Sequence, residues 1–301
     1  MTKQRGEEMD KEVREHAADY DLPECFFEQF DTICTSLKEA FKDMIDNHSI
    51  DKLNMATDAL ITLYESFYSE KQLFDSLNAC KYGVDPIYEH SVNVALLSRM
   101  LGDLNHMNHN DLYALTQSAL IHDIGKLSVN PDILYKTETL TDHEFDLIKE
   151  HTQQGYMLVK DLFTDSRIPV VALMHHERID GSGYPMGISS SDINDFTRIV
   201  AICDVYAGMI ATRGYRESYC PFSIIALFEK EGLHKYDTDF TILFLRSMLD
   251  TYIGYSVILN TGEEAVITAV NPHNLSNPVV ELDGMTTNLA LDENRQILHI
   301  A

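Results

Sequence analysis

Hydrophobic positions recur along this chain with two different periods, and the change from one to the other divides it. Up to about residue 250 the spacing is helical. Phe26, Phe27, Phe30, Ile33 and Leu37 mark one amphipathic stretch, and Leu53 to Phe74 carries another. The turn Tyr82-Gly83-Val84-Asp85-Pro86 opens a new helix, with Asp85 as N-cap and Pro86 at the first helical position, where a missing N–H does no harm. Further helices are predicted near 87–102, 110–123, 142–161, 167–176, 195–212, 221–230 and 237–250. Residues 177–192, rich in Gly, Ser and Pro, read as a long loop.

After Thr251 the period becomes two. Tyr255, Val257 and Leu259 alternate up to an Asn260-Thr261-Gly262 turn, Val266, Thr268 and Val270 follow, and Val279-Val280 and Ile297-Leu298 come later. This predicts a small antiparallel β unit. The chain thus reads as mainly α, in three regions: N-terminal helices over 1–81, a helical body over 82–250 and a β extension over 251–301. The N-terminal helices carry no heme, flavin or receiver signature and read as a packing unit able to support a homodimer.

Composition narrows the function. With 301 residues, 45% hydrophobic and 24% charged, the chain has the make-up of an ordinary globular protein. No apolar run is long enough to span a bilayer, and the charged N-terminus lacks a signal-peptide core, so a cytoplasmic protein without a membrane partner is expected. The formal charge of −25 opposes binding to nucleic acid polymers. A small anionic ligand remains compatible with it if basic groups gather at one site. The five cysteines form no CxxC pair, which argues against a disulfide framework or a structural zinc site.

Most of the 13 histidines lie in polar surroundings, but some are placed differently. His90 interrupts an apolar helix. His122 and Asp123 stand between apolar neighbours at a helix end, in Ile121-His122-Asp123-Ile124-Gly125-Lys126. His151 begins another segment, Met174-His175-His176-Glu177 ends an apolar run, and Asp204 sits within Ile202-Cys203-Asp204-Val205-Tyr206. A lone buried histidine is more often a satisfied core residue than a ligand. Here five apolar segments each deliver a ligand type, and buried imidazoles and carboxylates must be paired or coordinate metal. Nitrogen and oxygen donors without thiolate suit iron, manganese or zinc. A carboxylate among imidazoles can also bridge two ions.

These residues carry a resemblance. His122-Asp123 is the doublet of the HD superfamily of metal-dependent phosphohydrolases. The stretch His175-His176-Glu177-Arg178-Ile179-Asp180-Gly181-Ser182-Gly183-Tyr184-Pro185 resembles the HHExxDGxGYP signature of its HD-GYP branch. His90, Gly125-Lys126, His151 and Asp204 follow in family order, so the resemblance covers about residues 82–250. It implies an HD-type helical bundle and a phosphodiesterase that opens cyclic di-GMP to linear pGpG or GMP through a metal-activated hydroxide. It further implies that His90, His122, Asp123 and Asp204 hold one divalent ion, most naturally iron or manganese with zinc as the alternative. Asp123 bridges to a second ion completed by His151, His175 and His176. Lys126 is expected to stabilise phosphoryl charge. Arg178, Tyr184, Arg213 and Arg216 are expected to contact substrate, the last two because Thr212-Arg213-Gly214-Tyr215-Arg216 resembles the family's SDRPYR segment.

The chain departs from that pattern in places. Some relatives hold a third metal through a glutamate one turn before the first histidine; here that position is Pro86, so two metals are expected. Gly214 replaces a proline, which leaves the substrate contacts of that segment open. Two other readings stay in view: a sensor or scaffold that binds the dinucleotide without cutting it, and a phosphodiesterase for cyclic GMP-AMP.

Overall fold

The helical body is organised around one helix that is buried on nearly all sides. The structure, a computed structural model, describes residues 22–80, 86–210, 220–292 and 294–301. Helices α1 (Phe26–Asn47), α2 (Asp51–Ser66) and α3 (Glu70–Ala79) precede α4 (Pro86–Leu104), on which every residue from Ser91 to Gly102 is buried. A helix buried around its whole circumference needs neighbours on every side. For α4 these include α1, α2, α5 (His109–Ile121) and α10 (Asp195–Ile210). The short α6 (Pro131–Leu134), then α7 (Asp142–Lys149), α8 (His151–Val159) and α9 (Arg167–Met174) lie between α5 and α10 in sequence. After α10 come α11 (Pro221–Leu227), a π-helical turn over Phe228–Gly232, α12 (Leu233–Lys235) and α13 (Thr238–Asp250).

Side-chain caps explain where several helices begin, and they divide stretches that periodicity alone runs together. The stretch Leu53 to Phe74 is two helices because Ser69 accepts a hydrogen bond from the Gln72 amide and starts α3. The expected helix over 142–161 is likewise two, α7 and α8, with the break at Glu150. Thr141 and Glu144 form a reciprocal capping box at the start of α7. Asp237 accepts from the Asp239 and Phe240 amides to start α13, and also pairs with Arg198 at 3.0 Å. The proposed N-cap Asp85 and the polar stretch 12–20 lie outside the described residues.

The C-terminal unit is an antiparallel sheet of order β4-β3-β2-β1-β5: β1 (Ser256–Leu259), β2 (Glu264–Ala269), β3 (Val279–Leu282), β4 (Met285–Asn288) and β5 (Ile297–Ile300). Its alternating Val257, Leu259, Ala265, Ile267, Val280 and Leu282 belong to the same buried cluster as the helical core. Glu229 fastens the sheet from the helical side, accepting hydrogen bonds from the Leu275 and Ser276 amides. Strand β4 is absent from the sequence expectation because Met285-Thr286-Thr287-Asn288 is a mostly polar edge. The Asp283-Gly284 turn before it, with both residues at positive φ, is the available signal. Among the described residues no helix is long and apolar enough to cross a membrane.

Candidate metal centre

Helix ends deliver most of the site. His122 and Asp123 terminate α5, His151 opens α8, His175 and His176 terminate α9, and His90 and Asp204 project from α4 and α10. The backbone at the His122-Asp123 corner comes so close to α8 that a Cβ on Gly125 would lie 1.9 Å from the His151 carbonyl oxygen and 2.6 Å from the Gly155 nitrogen. Only glycine fits there. The structure brings together all seven expected ligands, as one group of Asp123, His151, His175 and His176 and a second of His90, His122 and Asp204. In each group the candidate ligand atoms lie within 4.8 Å of one another.

Backbone carbonyls set the imidazole tautomers. His122 Nδ1 lies 2.7 Å from the Ala119 oxygen, His151 Nδ1 2.6 Å from that of Ile148, and His175 Nδ1 3.0 Å from that of Val171. A carbonyl can only accept, so each Nδ1 carries the proton and each Nε2 presents a lone pair. At the break the Ile148 carbonyl accepts from both the Glu150 amide and the His151 ring. The Nε2 atoms of His151 and His175 then face each other at 3.3 Å, with Asp123 Oδ1 3.4 and 3.6 Å away. Such a cluster of lone pairs calls for a cation. On the other side, Asp123 Oδ2 lies 3.3 Å from His122 Nε2 and 3.9 Å from His90 Nε2, while His90 Nε2 meets Asp204 Oδ1 at 2.9 Å.

His122 Nε2 and Asp123 Oδ1 are buried without a hydrogen-bond partner. Buried polar atoms left so are rare and point to an ion or water. Their donor chemistry, nitrogen and carboxylate oxygen, suits a divalent transition ion, so the residues present fit a metal. Burial pulls the pKa values of His90, His151 and His176 down, His151 to about 4. Burial is the largest influence on His122 too, but the Asp123 and Asp204 carboxylates together outweigh it and the net shift is upward. Burial works against ionised Asp123 and Asp204 too, yet Lys126 and His122 around the first, and His90 and His176 around the second, hold both well below the usual range.

These directions make a prediction for chelated protein. An imidazole held neutral at about 4 takes up no proton where the unfolded chain, at 6.5, already has one. Stability therefore falls as pH drops from 6.5 toward 4, with His90 and His176 acting in the same sense, while the two aspartates act only below 3.8 and His122 only above 6.5. Urea midpoints measured across that window should decline with acidity; a flat or rising profile would contradict the assignment of neutral imidazoles.

Around the ligands the signature loop is tied by a residue whose role the sequence did not disclose. Glu177, 2% exposed, accepts from the amides of Met186 at 2.7 Å, Gly187 at 3.2 Å and Ile188 at 3.1 Å. Its place in the His175-His176-Glu177 run was visible, but not the return of residues 186–188 to it. Gly181 has φ of +80°, as a loop glycine is expected to, whereas Gly183 is required by packing: a Cβ there would lie 2.4 Å from Glu177 Cα. Replacing Glu177 with Ala should cost about 2 kcal/mol, since three part-buried amides lose a charged acceptor. Thermal unfolding, with limited proteolysis inside 178–190, checks this; an unchanged melting temperature and cleavage pattern would rule the clamp out.

The other expected residues are placed unevenly. Lys126 donates a hydrogen bond to Asp123 Oδ2. The Tyr184 ring lies against His176, with centroids 4.6 Å apart and planes at 31°. Arg178 donates to the carbonyls of His175 at 3.2 Å and Glu177 at 2.9 Å, and rests on the Tyr236 ring at 4.7 Å. It braces the loop in this arrangement. Arg213 and Arg216 lie outside the described residues.

Comparison with known proteins agrees with this architecture. The HD domain family matches residues 65–240. A cyclic di-GMP phosphodiesterase of Pseudomonas aeruginosa is 30% identical over 255 residues, 83% of this chain and 61% of that protein. A 3'3'-cGAMP-specific phosphodiesterase of Vibrio cholerae is 37% identical over 131 residues, 44% of this chain and 30% of that protein. Among solved structures, a HDG"Y"P protein from Bdellovibrio bacteriovorus superposes with a TM-score of 0.59 at 19% identity, covering 72% of this chain and 69% of its own, which bears on the fold alone. The chain therefore belongs to the HD-domain family, and within it to the HD-GYP branch, whose signature loop it carries at residues 175–185. It spans less than two thirds of the length of the curated relatives it matches.

Proposed function

We propose that this chain hydrolyses a phosphodiester bond of a cyclic dinucleotide, cyclic di-GMP first among them, to give the linear pGpG. The observation that carries the reading is the division of the Asp123 carboxylate, with Oδ1 toward His151 and His175 and Oδ2 toward His122 and His90. A carboxylate so shared suits a bridge between two divalent ions. His90, His122 and Asp204 would hold one, His151, His175 and His176 the other, and iron or manganese fits these donors best, with zinc acceptable. When bound, such ions acidify water and neutralise developing phosphoryl charge.

The protein's own groups supply the rest. The carbonyls of Ala119, Ile148 and Val171 fix the imidazoles so that lone pairs stay directed inward without a reorganisation step. Lys126 places an ammonium at the Asp123 edge, within reach of a phosphoryl oxygen or leaving group. Tyr184 covers His176 and presents an aromatic face beside the reacting phosphate. Cyclic GMP-AMP is the second candidate substrate, favoured by the similarity to the Vibrio cholerae enzyme.

The test is to load the purified protein with Mn2+ or Fe2+ under anaerobic conditions and incubate it with cyclic di-GMP and with cyclic GMP-AMP. Products are then separated by chromatography. Linear dinucleotide from cyclic di-GMP is the expected result. Tight binding of both compounds with cleavage of neither would replace the hydrolase with a sensor.

A further inference from the structure

A cyclic dinucleotide carries two phosphates and two bases, and the candidate metal centre accounts for one phosphate. The remainder needs a cation and a stacking surface, the more so because a chain of net charge −25 repels a dianion over most of its surface. Among the expected cations that are described, Lys126 is bonded to Asp123 and Arg178 to backbone carbonyls. Lys149 stands differently. It ends α7, and its Nζ lies 4.6 Å from the Phe145 ring centroid and 5.8 Å from that of Tyr184. Tyr184 in turn lies on the candidate ligand His176. A chain of contacts therefore runs outward from the metal centre through an aromatic ring to an ammonium and a second ring.

Both outer groups can be reached by a ligand. The ion pair that Lys149 makes is with Asp146 at 2.9 Å, and the Asp146 side chain is 69% exposed. Pairs of that kind are weak and screened, so a phosphate can take the ammonium over. Phe145 is 45% exposed, an apolar ring left in water beside a polar site. Purine bases stack on such rings whatever their sequence context, and a nearby cation strengthens the grip.

We propose that Lys149 and Phe145 form a subsite for the half of the cyclic dinucleotide that is not being cut, the ammonium on the second phosphate and the ring against a guanine. The assignment rests on the cyclic-dinucleotide reading above. It is tested with Lys149→Ala, Lys149→Arg and Phe145→Ala in metal-loaded protein, by steady-state cleavage and calorimetric binding of cyclic di-GMP. Bis(4-nitrophenyl) phosphate, a diester with a single phosphate, reports on the metal centre alone. Lys149→Ala and Phe145→Ala should each raise KM and Kd about tenfold, the scale of one lost stacking or charge contact, with kcat, metal content and hydrolysis of the small diester unchanged. Lys149→Arg should restore most of the affinity. Wild-type KM and Kd in both Ala variants would overturn the subsite and leave the proposed activity standing. Wild-type protein that cuts the small diester but neither binds nor cuts cyclic di-GMP would overturn the dinucleotide reading, and the subsite with it. A fall in kcat on both substrates would show that Lys149 supports the metal centre instead, which also overturns the proposal.

Discussion

Asp123→Ala is expected to lower cyclic dinucleotide cleavage by at least about a thousandfold, the scale of losing a group that acts in the transition state. The same change should empty both halves of the site. Asp123 has oxygens near candidate ligands of both groups, at 3.3 to 3.9 Å, and Asp204 also reaches across, with Oδ1 2.9 Å from His90 and Oδ2 3.8 Å from His176. His90→Ala makes the informative contrast. His90 reaches Asp204 at 2.9 Å and belongs to one group only, so its loss should release one ion and leave the other. Metal analysis of the two purified variants separates these outcomes. Equal metal loss from both would mean that the groups are not joined through Asp123.

Gly125→Ala should be the most damaging methyl addition among the described glycines. The added carbon would meet the His151 carbonyl oxygen at 1.9 Å and the Gly155 nitrogen at 2.6 Å, and both are backbone atoms that no rotamer change can move aside. Relief requires α8 to shift away from the His122-Asp123 corner, carrying His151 with it. A loss of about 3 kcal/mol or more is expected from overpacking at this contact, together with weakened metal retention. Gly208→Ala is the control. Nothing lies within 4 Å of a Cβ there, and α10 should gain up to about 1 kcal/mol from the better helix former. Thermal unfolding of the two variants checks the pair. A Gly125→Ala melting temperature equal to that of wild type would show that the close approach is not required.

The candidate ligand set could be read from the chain because its chemistry contradicts its surroundings. His122 and Asp123 between Ile121 and Ile124, or Asp204 inside Ile202 to Tyr206, are polar groups in apolar segments, and burial forces such groups to find partners. The helical body and the β tail were legible for a related reason, since period follows from which face is buried. What the chain did not disclose depends on tertiary return paths. Glu177 matters because amides nine to eleven positions later come back to it. Arg178 sits where it can bond two carbonyls and lie on Tyr236, a residue from a distant part of the chain. Lys149 looks like any lysine at a helix end until Tyr184 is folded beside it. Helix breaks at Ser69 and Glu150 likewise depend on single caps and carbonyls that periodicity averages away.

We propose that two divalent ions, held between these two groups, would make the chain a hydrolase. Native mass spectrometry of protein stripped by chelation and then titrated with Mn2+, with cyclic di-GMP cleavage assayed at each step, tests it most directly. Binding of two ions per chain, with cleavage absent after chelation and rising as the second ion enters, is the predicted result. Cleavage that survives complete removal of metal, or a chain that takes up no ions at all, would contradict it.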